Sequence, residues 1–172
     1  MIKVDLSQLR FLIVEDNAHM RRVVRTLINS FGAREITEAE DGASGLELFQ
    51  TNSPDIVITD WFMPIFSGID LTRMMRHPET SANPTVPIIM LTGHSEKRKV
   101  MEARDAGVTE FLCKPISANA LYARVANCVV NPRYFVKAGG FYGPDRRRFS
   151  NPSYKGAERR ASEASPAQKL AG

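Results

Sequence analysis

Four short apolar runs, each closing on polar residues suited to chemistry, constrain this chain more than any other feature. Phe11-Leu12-Ile13-Val14 ends on Glu15-Asp16, Ile56-Val57-Ile58-Thr59 on Asp60, Ile88-Ile89-Met90-Leu91 on Thr92, and Phe111-Leu112-Cys113 on Lys114-Pro115. Continuous apolar stretches of this length read as strands buried on both faces, and helical patterns between them make the sheet parallel. Ligands of open parallel sheets bind beyond the carboxyl ends of the strands. If the four strands are neighbours, their closing residues therefore meet in one crevice. Oxygen donors gathered there suit a hard divalent cation such as Mg²⁺, which takes one or two carboxylates and keeps water and phosphate oxygens as its other ligands.

The intervening segments carry the other period. Met20, Val23, Val24, Leu27, Ile28 and Phe31 recur at helical spacing, and Gly32 follows as a carboxyl-terminal cap. Ile36 marks a short second strand, and Ala43, Leu46 and Phe49 a second helix. Helices also fit residues 69–76, 96–106 and 118–130. Right-handed crossovers then stack these helices on both faces of the sheet.

Charge divides the chain. Residues 1–131 hold 14 Lys and Arg against 16 Asp and Glu, whereas residues 132–172 hold 9 against 3, so the net +4 comes from the tail. That tail has Gly139-Gly140, prolines, serines and no sustained apolar period, which predicts a basic, flexible segment without a core of its own. The domain boundary is placed at Asn131-Pro132, since proline cannot continue a helix without losing a hydrogen bond. If the tail packs after all, Phe135, Phe141 and Tyr142 are the side chains to cover an apolar patch. No apolar run approaches the roughly 18 residues of a membrane span, and residues 1–10 hold no signal-peptide core, so a cytoplasmic location is expected. Cys113, in a strand expected to be buried, and Cys128, in a helix, lack metal-like spacing and read as reduced thiols.

Val14-Glu15-Asp16, Thr59-Asp60-x-x-Met63-Pro64-x-x-x-Gly68, Leu91-Thr92-Gly93 and Phe111-x-x-Lys114-Pro115 together resemble the receiver domain of two-component response regulators over about residues 8–131. The resemblance implies a flavodoxin-like α/β fold with strand order 2-1-3-4-5 and five helices, in a stand-alone, chemotaxis-regulator-like switch. It implies Asp60 as phosphoacceptor and Glu15, Asp16, Asp60 and the Phe62 backbone carbonyl as ligands of Mg²⁺ or Mn²⁺. Lys114 and Thr92 would then hold the phosphoryl oxygens, and Phe111 would be the aromatic that changes position when Thr92 moves. The Lys114-Pro115 bond is usually cis in the family. A histidine kinase or histidine phosphotransfer protein is the implied donor, and a downstream protein is expected on the face made by residues 96–106, 109–113 and 118–130. Taken singly, each residue also has a plain reading: Asp16 or Asn17 could cap the first helix and Lys97-Arg98-Lys99 form a solvated face, while His77 and His94 are not compelling phosphate or metal ligands. Phe62 and His94, two residues beyond Asp60 and Thr92, occupy positions that vary in the family and shape access of hydrolytic water.

Two further function classes compete. The tail repeats aromatic, glycine, acid and paired arginines in Phe141-Tyr142-Gly143-Pro144-Asp145-Arg146-Arg147 and again in Tyr154-Lys155-Gly156-Ala157-Glu158-Arg159-Arg160. Arg146, Arg147, Arg159 and Arg160 beside aromatics suit nucleic acid or an acidic surface, which would make the tail the output. No helix-turn-helix follows residue 131. A phosphohydrolase with an aspartyl phosphate intermediate is the other class, weakened because Phe62 stands where a general acid would serve a leaving group.

Overall fold

A computed structural model describes residues 4–93 and 97–145. Five strands, β1 (Arg10–Val14), β2 (Glu35–Ala39), β3 (Ile56–Asp60), β4 (Ile88–Thr92) and β5 (Glu110–Cys113), form one parallel sheet in the order β2-β1-β3-β4-β5. Helices α1 (Ala18–Ser30), α2 (Gly42–Asn52), α3 (Gly68–Met75), α4 (Lys97–Ala106) and α5 (Ala118–Val130) alternate with them. This is the expected fold.

Every residue of β3 and β4 is buried, which explains their unbroken apolar runs. Successive side chains point to opposite faces. Phe11 and Ile13 of β1, Ile56 and Ile58 of β3, and Ile89 and Leu91 of β4 pack with Val24 and Ile28 of α1 and Leu121 and Val125 of α5. Leu12, Val14, Val57 and Ile88 face the other way, onto Phe49 of α2 and Leu71 and Met75 of α3. Each such side chain contributes about 1.5–3 kcal/mol when fully buried. Polar caps set the helix starts: Asn17 accepts from the amides of His19 and Met20 at 3.0 Å each, Asp41 from Ser44 at 2.8 Å, and Ser67 and Asp70 form a reciprocal capping box. With Asn17 as the cap, Asp16 is left for other work. Gly32, at φ +103°, ends α1 as expected.

Registers align the carboxyl ends of the strands. Val14 pairs with Thr59, Asp60 with Leu91, and Thr92 with Cys113. Beyond the ladder, the Trp61 amide donates to the Leu91 carbonyl at 2.9 Å and the Lys114 amide to the Thr92 carbonyl at 2.7 Å.

The described part of the tail departs from expectation. Residues 135–144 form an antiparallel hairpin, β6 (Phe135–Ala138) and β7 (Phe141–Pro144), and its two-residue turn puts positive φ at both Gly139 and Gly140. A lone hairpin is marginal in water, so docking must hold it. Phe135 is 2% exposed and its ring lies 5.0 Å from the Arg76 guanidinium carbon, while a Cβ on Gly143 would come within 3.1 Å of the Gly107 Cα. Arg146, Arg147, Arg159, Arg160 and His94 lie outside the described residues. Cys113, expected to be buried, is instead exposed because it is the last residue of β5, whereas Cys128 is buried.

Gly68 explains the spacing that follows Asp60. It opens α3 directly against the end of β3, where an added Cβ would lie 2.0 Å from the Asp60 carbonyl oxygen. Gly68→Ala gains up to about 1 kcal/mol of helix propensity, but that overlap forces the α3 start and β3 apart, for which overpacking typically costs about 1–3 kcal/mol. A net loss of stability in urea denaturation is expected; an unchanged midpoint would mean that α3 is free to step back from Asp60.

Candidate functional site

Glu15 and Asp16 follow β1, and Asp60 closes β3. Their carboxylate oxygens lie within 4.8 Å of one another, with Glu15 and Asp60 buried and Asp16 exposed. Lys114, at the end of β5, reaches back across the sheet edge: its Nζ donates to Asp60 Oδ1 at 2.8 Å and to Glu15 Oε2 at 3.1 Å. The Asn17 amide donates to Glu15 Oε1 at 3.3 Å, and Arg21 Nη1 to the Glu15 carbonyl oxygen at 2.7 Å. Thr92 is fully buried at the neighbouring strand end. The structure thus brings Glu15, Asp16, Asp60, Thr92 and Lys114 to one edge of the sheet, and the Lys114-Pro115 bond is cis.

The charges do not balance. Burial, and then the adjacent Asp60, raise the pKa of Glu15 above its ordinary value despite the Lys114 ammonium. For Lys114, burial opposes the charge, but hydrogen bonds and attraction from Asp60, with Glu15 behind it, outweigh that and raise its pKa. Three carboxylates facing one ammonium retain uncompensated negative charge. An all-oxygen donor set of this charge fits a hard divalent cation and disfavours softer metals.

Next to the carboxylates lies an aromatic group that sequence reasoning only half found. Trp61, immediately after Asp60, is 3% exposed and meets Phe111 edge-on at 6.3 Å. Phe111 is half-buried. Phe62 is 51% exposed, 6.1 Å from the Trp61 ring, and Lys99 Nζ sits 5.1 Å above Trp61 and 5.6 Å above Phe62. Lys99 is expected on a solvated face; its ammonium instead lies over both rings. The available signal was the single tryptophan, adjacent to the candidate acceptor. In the same loop Ile65 is fully exposed at φ +67°, a conformation that costs a β-branched residue about 1–2 kcal/mol. His77 is exposed.

Over residues 11–126 the sequence matches the profile of the response regulator receiver domain. The chain belongs to the receiver-domain family. Chemotaxis protein CheY of Pseudomonas aeruginosa is 33% identical over 117 residues, which cover 68% of this chain and 93% of that protein. Chemotaxis protein CheY-3 of Vibrio cholerae is 35% identical over 115 residues, 67% of this chain and 87% of that one. Among solved structures, Vibrio cholerae CheY4 aligns with a TM-score of 0.64 at 27% identity, covering 69% of this chain and 97% of the other. A Clostridium thermocellum receiver domain aligns with a TM-score of 0.61 at 30% identity, over 69% and 92%. The receiver domain is a phosphorylation-activated signalling switch that binds its metal at an acidic pocket, and this chain carries an acidic cluster in Glu15, Asp16 and Asp60. The hairpin follows the family match.

The pKa of Glu15 gives this receiver a pH signature. Because the folded protein holds that proton where the unfolded chain has lost it, stability without metal falls as pH rises from the ordinary value of 4.5 through the raised one. The Lys114 contribution is constant there, since its raised pKa keeps it present below 10.5 and loses it only as pH climbs through the higher folded value. Glu15→Gln is therefore expected to stabilise the chelator-treated protein at neutral pH and to flatten this slope. Thermal unfolding from pH 4 to 8 checks it, and a destabilised variant would mean that the Glu15 charge is fully compensated.

Proposed function

We propose that this receiver accepts a phosphoryl group on Asp60 from a histidine kinase or histidine phosphotransfer protein and passes the signal on by changing its affinity for a protein partner. The observation carrying this reading is the Lys114 ammonium bridging Asp60 and Glu15 beside Asp16. Glu15, Asp16, Asp60 and the Phe62 carbonyl would hold Mg²⁺ or Mn²⁺, which when bound supplies positive charge against the phosphoryl oxygens. A carboxylate oxygen of Asp60 attacks phosphorus in line, the new P–O bond forms as the P–N bond to the donor imidazole breaks, and the imidazole leaves with a proton from solvent.

Lys114 then exchanges its contact with Asp60 for one with a phosphoryl oxygen, keeping an ammonium next to the added charge. The Thr92 hydroxyl donates to a second oxygen. As Thr92 moves toward the phosphate it leaves space, and Phe111, half-buried at the next strand, turns into it. The surface formed by α4, β5 and α5 changes with that ring, which suits it to a downstream protein. No described helix is long and apolar enough to cross a membrane, in keeping with action in the cytoplasm. The cycle closes by slow self-dephosphorylation rather than turnover of a substrate.

Asp60→Asn is expected to keep the fold and abolish uptake of phosphate from acetyl phosphate or a phosphorylated kinase; labelling undiminished at another residue would overturn the acceptor assignment. Asp16→Ala should abolish Mg²⁺-dependent uptake through loss of the metal, and intact Mg²⁺ binding in that variant would remove Asp16 from the ligand set.

Hydrolysis needs water aligned with the acyl phosphate bond, and the apolar Phe62 ring, tilted beside Trp61 with the Lys99 ammonium over it, neither orients nor readily admits it. Phe62→Asn reduces bulk and adds a polar group, so dephosphorylation at saturating Mg²⁺ should accelerate about tenfold if the barrier falls by about 1.4 kcal/mol. An equal or slower decay would show that access at this position does not limit the reaction.

A further inference from the structure

The β6–β7 hairpin and the aromatic ring of Phe111 share one cleft. Its volume is about 150 Å³; Val100 and Ala103 of α4 and Val108 and Phe111 form one side, and Arg133 and Pro144 of the hairpin segment the other. The Phe111 ring meets the Trp61 ring edge-on with centroids 6.3 Å apart, so the same residue both packs beside the one that follows Asp60 and lines the cleft shared with Arg133 and Pro144.

The hairpin is also fastened to the segment that carries Phe111. Arg76, at the end of α3, is buried and donates to three neutral acceptors: the Gly107 carbonyl at 2.9 Å, the Pro84 carbonyl at 2.9 Å and the Thr109 hydroxyl at 3.3 Å. Burial lowers its pKa to about 9, so the guanidinium remains charged at neutral pH with Phe135 as its cover. Gly107 and Thr109 lead directly into β5. The hairpin is closed at its open end by the Asp145 amide, which donates to the Tyr134 carbonyl at 2.7 Å, and by Arg133, which donates to the Asp145 carbonyl.

We propose that the hairpin is an intramolecular strap on the α4–β5 face, docked while Phe111 lines the cleft and loosened when phosphorylation draws that ring inward. The inference rests on Asp60 being the acceptor. Withdrawing an aromatic ring from a cleft that the hairpin already fills incompletely enlarges an unfilled volume, and the dispersion attraction forfeited there belongs to the docked state alone. Docking therefore disfavours the inward ring, and by linkage the inward ring disfavours docking by the same factor. Phosphorylation then bares the strip under Arg133 and Pro144, next to the face on which a partner would bind.

The test measures hydrogen exchange of the amides of residues 135–144 in the full chain, with Mg²⁺ alone and with Mg²⁺ and beryllofluoride. The fluorine resonance of bound beryllofluoride reports separately whether the site has filled. A filled site with hairpin exchange accelerated about fivefold or more supports the strap. A filled site with exchange unchanged or slowed overturns it and leaves the acceptor reading intact; a site that does not fill overturns both. Phe135→Ala, which uncovers Arg76, is expected to tighten beryllofluoride binding by a similar factor, and unchanged or weaker binding by a folded variant would count against the strap. Should that variant fail to fold, the exchange measurement on the unaltered chain still decides.

Discussion

The contact between Lys114 and the two buried carboxylates is the interaction on which the site depends. Exposed pairs elsewhere, Arg73 with Asp70 or Arg104 with Asp105, are worth about 0–1 kcal/mol each. The Lys114 pair differs in kind because Glu15 and Asp60 have little water to screen them, so losing the ammonium would leave two like charges facing each other with one exposed carboxylate beside them. Parallel register makes the contact possible: residue 114 reaches residues 15 and 60 only because the strands end in line. The scaffold supplies alignment, and the residual negative charge supplies affinity for a cation.

Much of this was legible in the sequence, for a definite reason. β1, β3 and β4 are covered on both faces, so their apolar runs are continuous, and the polar residues closing them had to emerge at one edge. Asp16 escapes capping duty because Asn17 takes it, a division that the adjacent letters left open. The strand order was implied by resemblance, since periodicity says nothing about which strand neighbours which.

What was missed depended on partners distant in the chain. The hairpin looked like flexible tail because residues 132–172 as a whole are basic and rich in glycine, proline and serine, yet Phe135 is buried against an arginine 59 positions earlier, a match that no local window contains. Trp61 and Lys99 were passed over for a similar reason: one reads as ordinary core and the other as an ordinary surface cation until the loop after β3 folds beneath α4. Cys113 erred the opposite way, because a strand's last residue can belong to the apolar run by composition and still lie outside the layer that covers it.

The order in which the site's parts appear along the chain bears on its synthesis. The three carboxylates belong to the first 60 residues, whereas the ammonium that offsets them comes from residue 114, two strands later. A nascent chain emerged only through β3 thus carries all three carboxylates without the ammonium, and in the finished fold the pairs of β1 with β3, Phe11 with Ile56 and Ile13 with Ile58, align the strands that bear them. Translation builds the anionic half first and completes it from the far edge of the sheet.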